Sequence, residues 1–277
     1  MKSMTFRNIV AATILAVISS VCLAFTAGTN MPTTPAGWTL KEAGINVRVY
    51  QKGTEQVYAQ VVDIKGGAKV RFNQTVVSST GTKTFNRQTL DQWWTGYANS
   101  KNTMVNGQFF DNNINPTGLS FGVRANSMLL TTGADTSAIA KKQIDFFDGA
   151  GAYVTSWNSS RLNGGSSAQN IIVGLDPSVD KDGNSNIGRT YLCTKVNPSG
   201  PSSPSQWLVI LSAASLTQST TLSNISSWGC DSGTVVMFDG SGSTQLQTSG
   251  GIRMKGSNWL YANENRTIPQ VLIVSNN

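Results

Sequence analysis

The sequence contains no histidine, and that absence removes more chemistry than any motif in it adds. Ser-His-Asp and Cys-His nucleophilic mechanisms are excluded, because each needs an imidazole to carry the proton. The usual hydrolytic zinc sets go with them, since they depend on imidazole ligands. Acid–base work at neutral pH then falls to a carboxylate, or less often to Tyr, Lys or an unusual Cys. Carboxylates are scarce as well, with Asp and Glu totalling 14 of 277 residues, so the search for a catalytic group is short. Lys and Arg total 21, for a net charge of +7, yet they are dispersed along the chain. A nucleic-acid binder concentrates such residues on one element with aromatics interleaved, so no nucleic-acid partner is expected. A solvated surface, with some attraction for anionic substrates, is the expectation instead.

Cysteine is nearly missing too, with three in all. Cys22 lies in the first segment, where Lys2 and Arg7 precede an apolar run from Ile9 to Phe25. Cys22-Leu23-Ala24 then offers a signal-peptidase site, so residues 1–24 read as a cleaved signal peptide and the mature protein as secreted or periplasmic. The alternative is an uncleaved N-terminal anchor, the run being close to the lower limit for crossing a bilayer. Nothing later is long and apolar enough to span a membrane, so no stable span is expected in the mature chain. Residues 25–44 read as a linker and the start of the mature chain, and 45–277 as one domain with no internal repeat. Cys193 and Cys230 can pair in an oxidising compartment or remain two buried thiols.

Strand patterns dominate what remains. Ile45–Tyr50 and Gln56–Asp63 alternate apolar and polar residues, and Lys69–Phe72 is a third short strand. Gly122–Leu130, Ala152–Trp157, Asn170–Leu175, Thr190–Lys195, Trp207–Ser212, Thr234–Phe238 and Val271–Val274 follow. Thr89–Ser100 carries Leu90, Trp93, Trp94 and Tyr97 at helical spacing, a face for packing on a sheet. Leu216–Trp228 is a second helix, after a Pro/Ser loop at Asn197–Ser205. The expected class is α+β, a single domain with a mixed or antiparallel sheet and flanking helices.

Two segments carry candidate chemistry. Phe238-Asp239-Gly240-Ser241-Gly242-Ser243 follows the apolar Thr234–Phe238 strand, which would hold the Asp239 carboxylate rigidly. Gly240 and Gly242 would let backbone N–H groups approach an anion. It lacks the Gly-Lys-Ser/Thr ending of a nucleotide loop, and Gln245 stands where the dinucleotide fingerprint needs Gly or Ala. Val105-Asn106-Gly107-Gln108-Phe109-Phe110-Asp111 joins a turn to two aromatics and a carboxylate. Asp180-Lys181-Asp182-Gly183-Asn184 looks like a calcium loop but places Arg189 where a bidentate glutamate is needed, so it reads as a solvated turn. No metal or cofactor is expected.

In order, these pieces resemble the phosphodiester glycosidase family. The matching residues are Asn106-Gly107-Gln108-Phe109-Phe110, Gly188-Arg189-Thr190, Asp239-Gly240-Ser241-Gly242-Ser243 and Arg266-Thr267-Ile268-Pro269, spread from about Tyr58 to Val274. The resemblance implies a phosphodiester-glycosidase-like domain acting on a carbohydrate or sugar-phosphate substrate. It implies Asp239, Asp111 and Asn106 as catalytic residues and Arg189, Gly240, Gly242, Ser243 and Arg266 as substrate-binding ones. One position departs from the family's Asp-Gly-Gly-Gly-Ser pattern. If the middle glycine needs a positive φ, Ser241 costs about a kcal/mol; if not, it adds a donor.

The implied reaction agrees with the missing histidine. A sugar-1-phosphodiester leaves as an anionic phosphate ester that needs little proton donation. The expectation is therefore an exported hydrolase of a sugar-1-phosphodiester or related glycosidic bond, in envelope or exopolysaccharide metabolism. The alternatives are a non-catalytic carbohydrate-binding protein and a structural envelope protein on the same fold.

Overall fold

The computed structural model describes residues 31–77, 83–97, 102–195, 200–258, 260 and 265–276. The segment read as a signal peptide and the first residues of the linker lie outside the described residues, as do residues 196–199 of the Pro/Ser loop. In chain order the first half forms β1 (Trp38–Ala43), β2 (Val47–Lys52), β3 (Val57–Asp63), β4 (Lys69–Phe72), α1 (Leu90–Gly96), β5 (Thr103–Asn106), β6 (Val123–Ala125) and β7 (Met128–Thr131). There follow β8 (Lys141–Phe147), β9 (Gly151–Ser156), β10 (Asn170–Leu175), β11 (Ile187–Thr194) and β12 (Trp207–Leu216). The chain ends with α2 (Gln218–Ser226), β13 (Val235–Met237), β14 (Gln245–Thr248), β15 (Arg253–Lys255) and β16 (Val271–Ser275).

These strands make two sheets. The larger runs β1-β2-β3-β12-β11-β13-β10-β6-β7, with β8 and β9 attached through β10, and the smaller runs β15-β14-β5-β16-β4. Every strand pair in the two sheets is antiparallel. The α+β expectation, with its mixed sheet and flanking helices, is therefore corrected: the fold is a β-rich, antiparallel one. Its two α-helices among the described residues are only 7 and 9 residues long.

Strand period explains the layering. In β12, Leu208 and Ile210 point to one face and Trp207, Val209 and Leu211 to the other, as successive side chains must. The first set meets Val105, Leu246, Leu272 and Val274 of the smaller sheet, making the core between the sheets. The second set packs with Tyr191, Cys193 and Met237 beneath Trp38, Ile225 and Trp228. On the outer face of the smaller sheet, Met104, Val271 and Ile273 lie under Leu90 and Trp93 of α1. Each fully buried Leu, Ile or Val contributes about 1.5–3 kcal/mol.

Both helices start where their sequences say they should. Thr89 caps α1 reciprocally with Gln92: Gln92 N donates to Thr89 Oγ1 at 3.3 Å and Thr89 N donates to Gln92 Oε1 at 2.9 Å. Thr217 Oγ1 accepts from Thr220 N at 3.2 Å at the start of α2. One predicted strand divides. Gly122–Leu130 becomes the β6–β7 hairpin because Asn126 (φ 47°) and Ser127 (φ 65°) turn the chain in the left-handed region. β8 has no strand signature in the sequence because its buried centre is a carboxylate. Asp145 is fully buried and ion-paired with Arg161, and it accepts from Ser166 Oγ at 2.8 Å and Gln143 Nε2 at 2.7 Å.

Cys193 in β11 and Cys230 beyond α2 form a disulfide with their Cα atoms 6.0 Å apart, tying the α2 segment to the larger sheet. No helix among the described residues is long and apolar enough to cross a membrane. Disulfide pairing is the chemistry of an oxidising, extracytoplasmic compartment. Replacing both cysteines by Ala should lower stability by about 3–4 kcal/mol, from the loop the bond closes. Urea unfolding of the oxidised wild type and the double variant checks it, with reduced wild type expected to match the variant.

Candidate active site

A cleft of about 170 Å³ opens at the carboxyl end of β13, lined by Asp239, Gly240, Ser241, Arg189, Tyr191 and Met237 and walled by Phe109, Lys181, Asp182 and Arg266. The strand pairings fix its floor. Phe238 N donates to Thr190 O at 2.9 Å, and Asp239 N donates to Gly107 O at 3.1 Å. Asp239 is thus held from the larger sheet on one side and from the Asn106-Gly107 turn of the smaller sheet on the other.

Asn106 lies beneath this floor rather than on it. Its Nδ2 donates to Asp239 O at 2.7 Å, while its Oδ1 accepts from Thr190 Oγ1 at 2.7 Å and from Gln245 N at 3.2 Å. The side chain is 1 % exposed, and these bonds commit its amide to positioning. Gln108 is buried behind it and bridges to the carbonyls of Gly122 and Val173.

Close approach governs the loop after Asp239. A Cβ on Gly188 would sit 2.1 Å from Ser241 O, and one on Gly240 would sit 2.8 Å from Gly188 O, so neither position admits a side chain without movement. Ser241 occupies the left-handed region at φ 57°, which answers the question its replacement of glycine raised: serine here carries the strain of that conformation. Gly242 is buried inside the turn, and Gly240 N donates to Asp239 Oδ1 at 3.0 Å.

The electrostatics centre on Asp239. Burial pushes its carboxyl up to about 6, while the Ser243 hydroxyl, Arg266, the Gly240 N–H and Lys181 pull it down. The Ser243 hydroxyl faces that carboxyl from a fully buried position, without a hydrogen bond of normal geometry to any described group. Tyr191 donates to Met237 Sδ at 3.2 Å, and burial pushes its phenol up to about 12, so it stays protonated. Asp239 is therefore the group on the cleft poised to exchange a proton near neutrality.

The remaining expected residues fall into place unevenly. Arg189 lines the cleft but spends its donors on backbone: Nε on Leu216 O at 3.2 Å, Nη1 on Lys181 O at 2.6 Å, and Nη2 on Asp182 O at 2.6 Å and Ser185 O at 3.1 Å. It thereby holds up the loop that presents Lys181 and Asp182. Arg266 lies on the cleft and acts on the Asp239 charge. Asp111 is exposed, accepts from Asn113 N at 2.9 Å in a local turn, and does not line the cleft. Lys181, Asp182 and Phe109 complete the walls. The sequence places Lys181 and Asp182 in a solvated turn. The structure draws that loop inward through Arg189, which bonds the Lys181 and Asp182 carbonyls, and Gln218, which accepts from Lys181 N at 3.2 Å. No group of three or more His, Cys, Asp or Glu among the described residues could hold a metal.

Two stability measurements test this geometry. The folded Asp239 carboxyl titrates above its unfolded value, so its contribution is full below about pH 4 and is lost as pH rises through about 6. Asp239→Asn should therefore be more stable than wild type at pH 7.5, by about 1–2 kcal/mol after allowance for screening at its exposed edge. The difference should shrink towards zero near pH 3.5, as read from paired urea titrations. Ser241→Gly should raise stability by about 0.5–1 kcal/mol at any pH in that range by relieving the left-handed strain.

No protein-family model and no curated protein matches the sequence. Among solved structures, the fold is similar to the catalytic domain of zebrafish N-acetylglucosamine-1-phosphodiester alpha-N-acetylglucosaminidase, auto-inhibited by its pro-peptide. That likeness has a TM-score of 0.57 at 13% identity, covering 87% of this chain and 82% of that one. A Burkholderia pseudomallei protein assumed to be exported aligns more loosely, with a TM-score of 0.42 at 9% identity over 83% of this chain and 74% of that one. The chain thus has a fold of the kind found in a phosphodiester glycosidase catalytic domain.

Proposed function

We propose that this protein is an exported hydrolase that cleaves a sugar-1-phosphodiester or a related glycosidic bond, acting on an envelope or exopolysaccharide component. The observation that carries the reading is Asp239: a rigidly held carboxyl titrating near 6, with the cations Lys181 and Arg266 on the same cleft. Likeness to the zebrafish N-acetylglucosamine-1-phosphodiester alpha-N-acetylglucosaminidase domain supports the same class of bond.

In this reading Lys181 and Arg266 hold the phosphodiester, the guanidinium by its planar, paired donors. The bond between the anomeric carbon and the bridging oxygen breaks, and both electrons leave with the phosphate monoester. That group is already anionic, so no histidine is needed to protonate it. Asp239, ionised at neutral pH, stabilises the oxocarbenium-like carbon or takes a proton from the attacking water. Water supplies the hydroxyl at the anomeric carbon, and its second proton ends on the phosphate or in solvent. Asp182 is the second carboxylate on the cleft, in place of Asp111.

A glycan-binding protein without turnover is the second reading, favoured by the way Arg189 spends its donors on loop carbonyls. The two separate by assay. Purified protein should release free sugar from a sugar-1-phosphodiester, with kcat/KM falling as pH drops through about 6, where Asp239 takes up its proton. Asp239→Asn should reduce turnover by at least about 100-fold, the usual scale for losing an acid–base group. Undiminished release by that variant overturns the assignment, and calorimetric glycan binding without any release favours the second reading.

A further inference from the structure

A line of aromatic rings and ammonium groups leaves the cleft at Phe109 and ends on an exposed tryptophan. Lys181 Nζ lies 5.7 Å from the Phe109 ring centroid at the cleft wall. The Phe109 and Phe121 centroids are 5.7 Å apart in an edge-on arrangement. Lys141 Nζ stands 5.5 Å from the Phe121 centroid and 5.8 Å from that of Trp157. Trp157 is 43 % exposed, a large apolar surface to leave in water.

The backbone holds this line in register. Ser120 N donates to Phe109 O at 2.8 Å, Asp135 N to Ser120 O at 2.9 Å, and Trp157 N to Lys141 O at 3.1 Å. Lys141 Nζ is anchored on Ser137 O at 2.7 Å. Asp135 sits within reach of both lysines; its carboxyl is held below its ordinary value by the Ser137 hydroxyl first, with Lys141 and Lys181 adding to the effect. Lys142 bonds Asp176 at 3.1 Å, fastening this strip to the start of the loop that carries Lys181.

Sugar rings present flat C–H faces that stack on tryptophan, and phosphodiesters seek ammonium groups. Phe121 is buried and serves as the support, so the groups a ligand can meet are the Trp157 ring, the Lys141 ammonium, the half-buried Phe109 ring and the Lys181 ammonium. Ring, cation, ring and cation in that order match a chain in which sugars alternate with phosphates, and Asp135 offers an acceptor for sugar hydroxyls. We infer that the Phe109–Lys141–Trp157 strip is an extended subsite that binds the leaving-group side of a polymer of phosphodiester-linked sugars. The inference rests on the proposed hydrolase reading for the bond that is cut, while Lys141 and Trp157 extend the strip beyond the cleft wall at Phe109.

The test compares a synthetic tetramer of hexoses joined by 1-phosphodiester linkages with the single-unit methyl phosphodiester. Wild type should prefer the tetramer by KM. Trp157→Ala and Lys141→Ala should each reduce the ratio of the two KM values by about tenfold, the scale of one stacking or cation–ring contact. Trp157→Phe should recover most of the preference, which separates ring stacking from damage to the fold. An unchanged ratio in both alanine variants overturns the inference. Calorimetry of the tetramer with Asp239→Asn, with and without Trp157→Ala, keeps the two readings apart. Weaker binding without Trp157 supports the subsite even where no sugar is released from either substrate, and equal or absent tetramer binding overturns it.

Discussion

The Asn106 carboxamide sits at the seam between two sheets, and the arrangement of the cleft depends on it. It ends β5 of the smaller sheet, yet it bonds Thr190 of β11 in the larger sheet, Gln245 of β14, and the Asp239 carbonyl beyond β13. Packed apolar faces set how far apart two sheets lie but are tolerant of sliding. Directional bonds at a buried seam are not, because each unmade bond leaves a desolvated polar group costing about 1–3 kcal/mol. The carboxylate therefore inherits its position from a registry lock between the layers.

Arg189 does comparable work at the cleft lining itself. A buried guanidinium needs acceptors for its N–H groups, and it finds them on the carbonyls of Lys181, Asp182, Ser185 and Leu216. Satisfying that demand folds the 181–185 loop over the cleft and delivers an ammonium and a second carboxylate to it. The residue that the sequence marks for anion binding thus also serves as a scaffold that brings Lys181 to the cleft. Such second-layer support is how a site keeps polar groups in place without catalytic contacts of its own.

Asp239 and Ser241 both cost stability. Asp239 bears a charge in a partly desolvated place, and Ser241 holds a backbone angle that glycine would adopt freely. Tight packing around Gly188 explains why the loop cannot relax, since the Ser241 carbonyl occupies the space a side chain there would take. Ser241 keeps its left-handed angle because the surrounding packing leaves that loop no room to relax.

The sequence by itself determined the chemistry available and much of the strand inventory. Without histidine, acid–base work falls first to a carboxylate, ahead of Tyr, Lys or Cys, and Asp239 after an apolar strand stands out from Asp residues in solvated turns. Period-two alternation in β2 and β3 was legible, as were the short strand β4 and the apolar runs of β10, β12 and β16, and Thr89 opened the first helix. The second starts at Gln218 with Thr217 as its cap, and Leu216 ends β12 instead. β8 stayed hidden because Asp145 interrupts its apolar pattern, and the partner that satisfies it, Arg161, comes only after the β8–β9 hairpin. The helices fell short of the expected class for the same reason: local pattern says where a strand or helix begins, not how many strands the sheets recruit. Likewise Asp111 and Asp239 look alike in sequence, both following aromatics. Only the tertiary structure turned one to solvent and set the other beside Lys181 and Arg266, because inter-sheet pairing and the hydrogen-bond needs of Asn106 act between residues far apart along the chain.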